Sequence, residues 1–151
     1  MTLVTRIPLR RHDDERGWFM ELMRASELPK PVRQANLARS RAGVIRALHY
    51  HERGQDDLFV CLQGMVRVVV LDRETGETFT EDIDDDNPVA IYVPGTKAHG
   101  YEALTDCLFC YFVTEEYDAA DPDEHGVSWN DPRVAPLWST QTPILSARDA
   151  V

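Results

Sequence analysis

A chain of 151 residues is the size of one ordinary domain, long enough to bury a substantial core and too short for two. Its 16 Lys and Arg against 26 Asp and Glu give a net charge of −10, which repels nucleic acid and anionic membrane alike and favours a small-molecule or protein partner. With no apolar run of the roughly 18 residues a membrane span needs, and no apolar signal core between Met1 and Arg11, the expectation is a soluble, cytoplasmic protein with one domain over residues 1–151.

In chain order, the first element expected is a short helical piece around Ala25 to Leu28. From Val44 onward, short β-branched and aromatic runs alternate with turn residues, which is the pattern of strands. The runs are Leu58 to Leu62, Met65 to Leu71, Thr78 to Ile83, Val89 to Val93 and Cys107 to Val113. A hairpin loop, Asp72 to Glu77, separates the second and third, and the polar break Asp84 to Pro88 follows the third. Hairpin-linked strands of this length predict an all-β sandwich or barrel. The acid-rich stretch Glu115 to Glu124 reads as a solvated loop, a second helical piece is expected near Asp131-Pro132, and residues 132–151 read as an extended tail laid over the barrel. Cys61, Cys107 and Cys110 are odd in number and sit in apolar runs, so they read as buried free thiols. Alternation along a strand puts Cys107 and Cys110 on opposite faces, which suits neither redox pairing nor joint ligation.

The most informative stretch joins Gly43 to His49 and His51, then Asp57 and Gly64. Its spacing nearly reproduces the first sequence motif of the cupins, with one extra residue before the carboxylate and Asp in place of Glu. Pro94 and His99 match a weaker second motif, although Thr96 and Ala103 stand where Gly and Asn are usual. Two histidines at i and i+2 on a strand share a face and can converge inside a barrel. A lone histidine is usually structural; three of them with one carboxylate are harder to bury as filler, because each polar group needs a partner.

The wider sequence resembles the dTDP-4-dehydrorhamnose 3,5-epimerase family along nearly its whole length. The resemblance is carried by Asp14-Glu15-Arg16-Gly17-Trp18-Phe19-Met20-Glu21, by Gln34-Ala35-Asn36 with Ser40, and by Arg46-Ala47-Leu48-His49-Tyr50-His51. It continues through Pro94-Gly95-Thr96-Lys97-Ala98-His99-Gly100, Trp129-Asn130-Asp131-Pro132 and Leu145-Ser146-Ala147-Arg148-Asp149. It implies a single-domain cupin jelly-roll barrel, an epimerase acting on a nucleotide-activated 4-keto-6-deoxy sugar, a homodimer formed through exchanged N-terminal strands, and no required metal. His49, held by Asp149, takes the place of the base that removes the proton next to the ketone; Arg16, Phe19, Glu21, Gln34, Asn36 and Arg46 match substrate-binding positions. His99 and Lys97 stand nearest to the enolate oxygen on this reading.

Three departures from the family pattern fall at the site. Counting along the chain sets Phe112 against the family's proton-donating tyrosine, with Tyr111 expected to face the other way. The family's glutamine after the H-[YF] pair is His51, and its lysine is Asp57. These last two changes complete a set of three histidines and one carboxylate, His49, His51, Asp57 and His99, able to hold Zn, Fe(II), Ni or Mn. Two further readings stay open: a metal-dependent cupin, either a carbonyl isomerase or an Fe(II) oxygenase, and a non-catalytic nucleotide-sugar-binding protein.

Overall fold

The computed structural model describes residues 3–150. The chain forms β1 (Thr5–Pro8), β2 (Arg11–Asp14), β3 (Gly17–Met20), β4 (Gln34–Ser40), β5 (Ile45–Tyr50) and β6 (Asp57–Gln63). It continues through β7 (Met65–Leu71), β8 (Thr78–Asp84), β9 (Val89–Val93), β10 (Ala98–Ala103), β11 (Cys107–Val113) and β12 (His125–Gly126). Short 3-10 turns lie at Ala25–Glu27 and Ala135–Leu137, close to the two places where helical pieces were expected. Two five-stranded antiparallel sheets, β1-β9-β6-β11-β4 and β12-β5-β10-β7-β8, face each other as a cupin jelly roll, and β2 and β3 form a separate hairpin.

Three apolar layers explain the sequence pattern. Phe59, Cys61, Val66, Val68, Val70, Ile91, Tyr101 and Phe109 pack between the sheets. Val69, Leu71, Ala98, Ile45 and Leu48 face outward from the second sheet and are covered by Val134 and Trp138 of the C-terminal segment. Leu58, Val60, Ala90, Tyr92 and Cys110 face outward from the first sheet and lie under Ile7, Leu9, Leu22, Met23 and Leu28. Because both faces of β6 and β7 are covered, these strands read as continuous apolar runs instead of alternating ones.

The C-terminal segment is pinned as well as packed. Ile144 bridges to Val44 in parallel, Trp138 Nε1 donates to the Trp129 carbonyl at 2.8 Å, and the Ser139 amide donates to the buried Glu102 carboxylate at 2.8 Å. These anchors carry the tail across the barrel and return Asp149 to the open end. Cys107 lies in the inner layer and Cys110 in an outer one, on opposite faces as alternation requires, and all three cysteines are free and buried. Burial pushes the Cys61 thiol up to about 12, leaving no thiolate chemistry at neutral pH.

Two glycines shape the barrel, one at the β6–β7 turn and one beside the site. Gly64, at φ +86°, turns β6 into β7, and a Cβ there would lie 2.3 Å from the Asp106 carbonyl oxygen. A Cβ at Gly100 would lie 2.4 Å from the Arg46 carbonyl oxygen and from the Ala47 Cβ, so only glycine lets β10 press this closely on β5.

Candidate active site

The apolar inner layer fills one end of the barrel, and the other end opens into a cavity of about 860 Å³, within the size range of small-molecule sites. Its walls come from both sheets. From the second sheet come Arg46 and His49 on β5, His51 just beyond it, and His99 on β10; from the first come Gln34 and Asn36 on β4, Asp57 and Phe59 on β6, and Phe109, Tyr111 and Val113 on β11. Asp149 and Arg148 enter from the C-terminal tail.

His49 Nε2–H donates to Asp149 Oδ1 at 2.8 Å, and the Asp149 side chain is nearly enclosed. This fixes the tautomer and leaves the Nδ1 lone pair uncommitted, 4.0 Å from Glu124 Oε1. A carboxylate on one ring nitrogen orients the ring and leaves the other nitrogen free to accept a proton, which is the arrangement a general base needs.

His99 pairs with His49 across β10 and β5. His99 Nδ1–H donates to the Lys97 carbonyl at 2.8 Å, and its Nε2 lies 3.4 Å from Asp57 Oδ2. His51 Nδ1–H donates to the Asp123 carbonyl at 2.6 Å, and its Nε2 lies 3.7 Å from Asp57 Oδ1. The amide of Gln55 donates to His51 Nε2 at 3.1 Å and to Asp57 Oδ1 at 2.9 Å. Burial lowers the pKa of His51. At His99 burial acts in the same direction, but the Asp57 carboxylate and the Lys97 carbonyl together outweigh it and raise the value.

The structure revises several sequence expectations. Tyr111, not Phe112, faces the cavity. On β11 it pairs with Asn36 of β4 and Phe59 of β6, and it shares its face with Phe109 and Val113, while Phe112 packs against the outer layer of Leu58, Val60, Ala90, Tyr92 and Cys110. Counting along the sequence missed by one residue, which on a strand is a whole face. The clue available was the parity of Tyr111 with Phe109. Burial, then the Asp57 carboxylate, raises the Tyr111 pKa and keeps its phenol protonated at neutral pH.

Lys97 does not reach the cavity. It lies in the turn before β10, where strand alternation does not apply, and its Nζ donates to Asp72 Oδ2 at 2.6 Å. His49 stands apart from the cluster of His51, Asp57 and His99, whose ligand atoms all lie within 4.8 Å of one another, because Asp149 holds its Nε2. The acid-rich stretch is not simply a solvated loop. The Asp123 carboxylate takes the amides of Glu52 and Arg53 at 3.0 and 2.8 Å, Asp121 takes the Arg53 guanidinium, and Glu124 takes Arg148, so the segment forms one wall of the mouth.

Of the remaining residues, Gln34 and Asn36 bond to each other at 2.9 Å along the cavity wall. Arg46 is anchored by Nε to Ser40 Oγ at 3.0 Å with the rest of its guanidinium toward the cavity. It reaches the same cavity as His49, three positions later, because the β5–β10 register shifts between His99 and Tyr101. Arg16 and Glu21 lie on and beside the β2–β3 hairpin, exposed and paired with Asp14 and Arg24, and Phe19 projects from it with 63% exposure. None of these three lines the cavity of its own chain.

Comparison with known proteins places this architecture. The family model described as dTDP-4-dehydrorhamnose 3,5-epimerase matches residues 2–151. The chain is 38% identical over 141 residues to the spore coat polysaccharide biosynthesis protein SpsL of Bacillus subtilis, covering 88% of this chain and 93% of that one. It is 36% identical over 150 residues to a dTDP-4-dehydrorhamnose 3-epimerase of Streptomyces niveus, covering 90% and 72%. It superposes with a TM-score of 0.88 and 27% identity on the epimerase RmlC of Legionella pneumophila, solved with dTDP-4-keto-L-rhamnose, covering 99% of this chain and 86% of that one. With the family model spanning residues 2–151 and the fold superposing over 99% of the chain, the chain belongs to the dTDP-4-dehydrorhamnose 3,5-epimerase family.

Proposed function

We propose that this protein is a cytoplasmic isomerase that inverts a carbon next to the ketone of a nucleotide-activated 4-keto-6-deoxy sugar. The observation that carries the reading is one cavity with a histidine–carboxylate pair on one sheet and a protonated tyrosine on the facing sheet. The ketone acidifies its neighbouring C–H, and His49 Nδ1 takes that proton as its Nε2–H bond to Asp149 strengthens around the imidazolium. The enolate that forms is planar, so a proton returned from the opposite side inverts the centre. Tyr111 stands on that side and donates its phenolic proton. The net change is stereochemical: one C–H bond breaks, one forms, and no electrons are gained or lost.

Arg46 is suited to the diphosphate because its planar fork pairs with phosphate oxygens, and in a chain of net charge −10 such a group must be local. Gln34 and Asn36 offer amides to the sugar and base. Arg16, Phe19 and Glu21 act from the partner's hairpin in a homodimer, which accounts for their distance from the cavity of their own chain. The Legionella relative solved with a dTDP-4-keto sugar supports this substrate class.

The test is solvent exchange. Incubated in D2O with a dTDP-4-keto-6-deoxyhexose, the wild type is expected to incorporate deuterium next to the ketone, and His49→Asn to lose this by about 10²–10⁴-fold. Wild-type protein that binds the sugar nucleotide without exchange would overturn the reading.

A further inference from the structure

Beside the His49–Asp149 pair lies a second group of side chains that the proton transfers leave unused. His51 Nε2, His99 Nε2 and the Asp57 carboxylate lie within 4.8 Å of one another at the cavity wall. Both histidines are oriented from behind: Nδ1–H of His51 donates to the Asp123 carbonyl and Nδ1–H of His99 to the Lys97 carbonyl, so both Nε2 lone pairs point inward. A carboxylate has only lone pairs to offer. With both rings neutral, three acceptors face one another, and the Gln55 amide supplies donors only to His51 Nε2 and Asp57 Oδ1. Asp57 is 5% exposed and, among the described residues, its ion-pair partners are these two histidines, with no Lys or Arg.

The separations are longer than direct hydrogen bonds: His51 Nε2 to Asp57 Oδ1 is 3.7 Å and His99 Nε2 to Asp57 Oδ2 is 3.4 Å, against about 2.7–3.2 Å for N–H···O. Two ligands on one tetrahedral ion at about 2.0–2.2 Å stand roughly 3.3–3.5 Å apart, so an ion would draw the three ligand atoms in from their present spread of up to 4.8 Å. Histidines whose far nitrogen is tied to a carbonyl are also the usual form of metal-bound imidazole.

We propose that His51, Asp57 and His99 form a divalent transition-metal site, distinct from the His49–Asp149 pair and open on its remaining side to the cavity. A bound ion takes the place of the Gln55 amide, which now bonds His51 Nε2 and Asp57 Oδ1. Two imidazoles and one carboxylate suit Zn, Fe(II), Co, Ni or Mn and disfavour Ca and Mg. Because His49 is not a ligand, a bound cation and a free base coexist, and the cation sits where it polarises an oxygen of a bound ligand. Only that last role rests on the epimerase reading; the site itself does not.

The experiment uses tag-free full-length protein, dialysed against chelator and titrated with Co2+ alone, without substrate. The visible absorption of Co(II) in a low-coordinate nitrogen–oxygen site reports binding directly. One equivalent is expected per chain, with Asp57→Asn and His51→Ala each weakening it by more than about a hundredfold, beyond the loss of an outer partner. His49→Asn is expected to keep the full equivalent. Circular dichroism checks that each variant is folded. If one is not, long-range proton–nitrogen NMR of the wild type with Zn2+ replaces it: Nε2 of His51 and His99 should shift, and His49 should not. No binding by the wild type, undiminished binding in Asp57→Asn, or loss in His49→Asn overturns the site. Since no turnover is measured, a failed epimerase assay leaves this result standing, and a failed titration leaves the solvent-exchange result standing.

Discussion

Tyr111 and Phe112 are neighbours in sequence with opposite environments. The Tyr111 phenol borders the cavity and is kept protonated by burial and the Asp57 charge, whereas Phe112 packs against the outer apolar layer of the first sheet. Tyr111→Phe is therefore expected to slow epimerisation by about 10²–10⁴-fold while proton removal by His49 still proceeds, so that deuterium exchange falls less than product formation. Comparing exchange by mass spectrometry with product by NMR checks this split. Phe112→Tyr should add no activity. It buries a hydroxyl in an apolar layer at a cost of about 1–3 kcal/mol, read as a lower midpoint in a denaturant titration.

At the scale of elements, two contacts hold β10 in place. Gly100 lets it approach β5 closely enough to set His99 beside His49, and Gly100→Ala would drive a methyl group into the Arg46 carbonyl. Overpacking of this kind costs about 1–3 kcal/mol and should lower the thermal midpoint by several degrees, with catalysis falling as the two histidines separate. Before β10, Lys97 grips Asp72 at the end of β7. Its hydrogen bond, with help from the Glu74 and Thr75 amides, lowers the Asp72 carboxyl to about 2 from an ordinary 3.8. A depressed folded-state pKa contributes stability that is complete above the unfolded value and is lost as the pH falls through the folded one. Lys97→Met should therefore be less stable than the wild type at neutral pH, and the difference should shrink between about pH 4 and pH 2. Denaturant titrations across that range measure it, and epimerase activity should be little changed, because Lys97 lies outside the cavity.

On the scale of the whole molecule, the β2–β3 hairpin makes its own two-stranded sheet and presents Trp18 and Phe19 at 53% and 63% exposure, while the edge strand β4 shows Leu37 at 64%. Large exposed apolar groups next to an open sheet edge are what an exchange of strands between two copies would cover. Sedimentation at micromolar concentration is expected to give twice the 17.2 kDa of one chain. If the proposed exchange carries Arg16 and Glu21 into a partner's cavity, the double substitution Trp18→Ser with Phe19→Asp should yield monomers with KM for the sugar nucleotide raised at least about tenfold. A dimer that survives the substitution with unchanged KM would count against the exchange.

Much of this was legible in the amino-acid order alone. Strand runs such as Met65 to Leu71 appear with their observed bounds because β-branched residues and turn residues act locally. The His49, His51, Asp57 and His99 constellation was visible because strand spacing puts His49 and His51 on one face and the cupin motif spacings add Asp57 and His99. Four features depended on tertiary structure. The break in register between β5 and β10 turns Arg46 into the cavity, and the position of Lys97 in a turn sends its ammonium to Asp72. The pairing of β11 with β4 and β6 settles Tyr111 over Phe112. The path of the tail decides the division of labour among the histidines: by bringing Asp149 to His49 Nε2 it sets that ring apart from the three groups that face one another across Asp57. Local spacing determines which residues can meet, and long-range pairing determines which of them do.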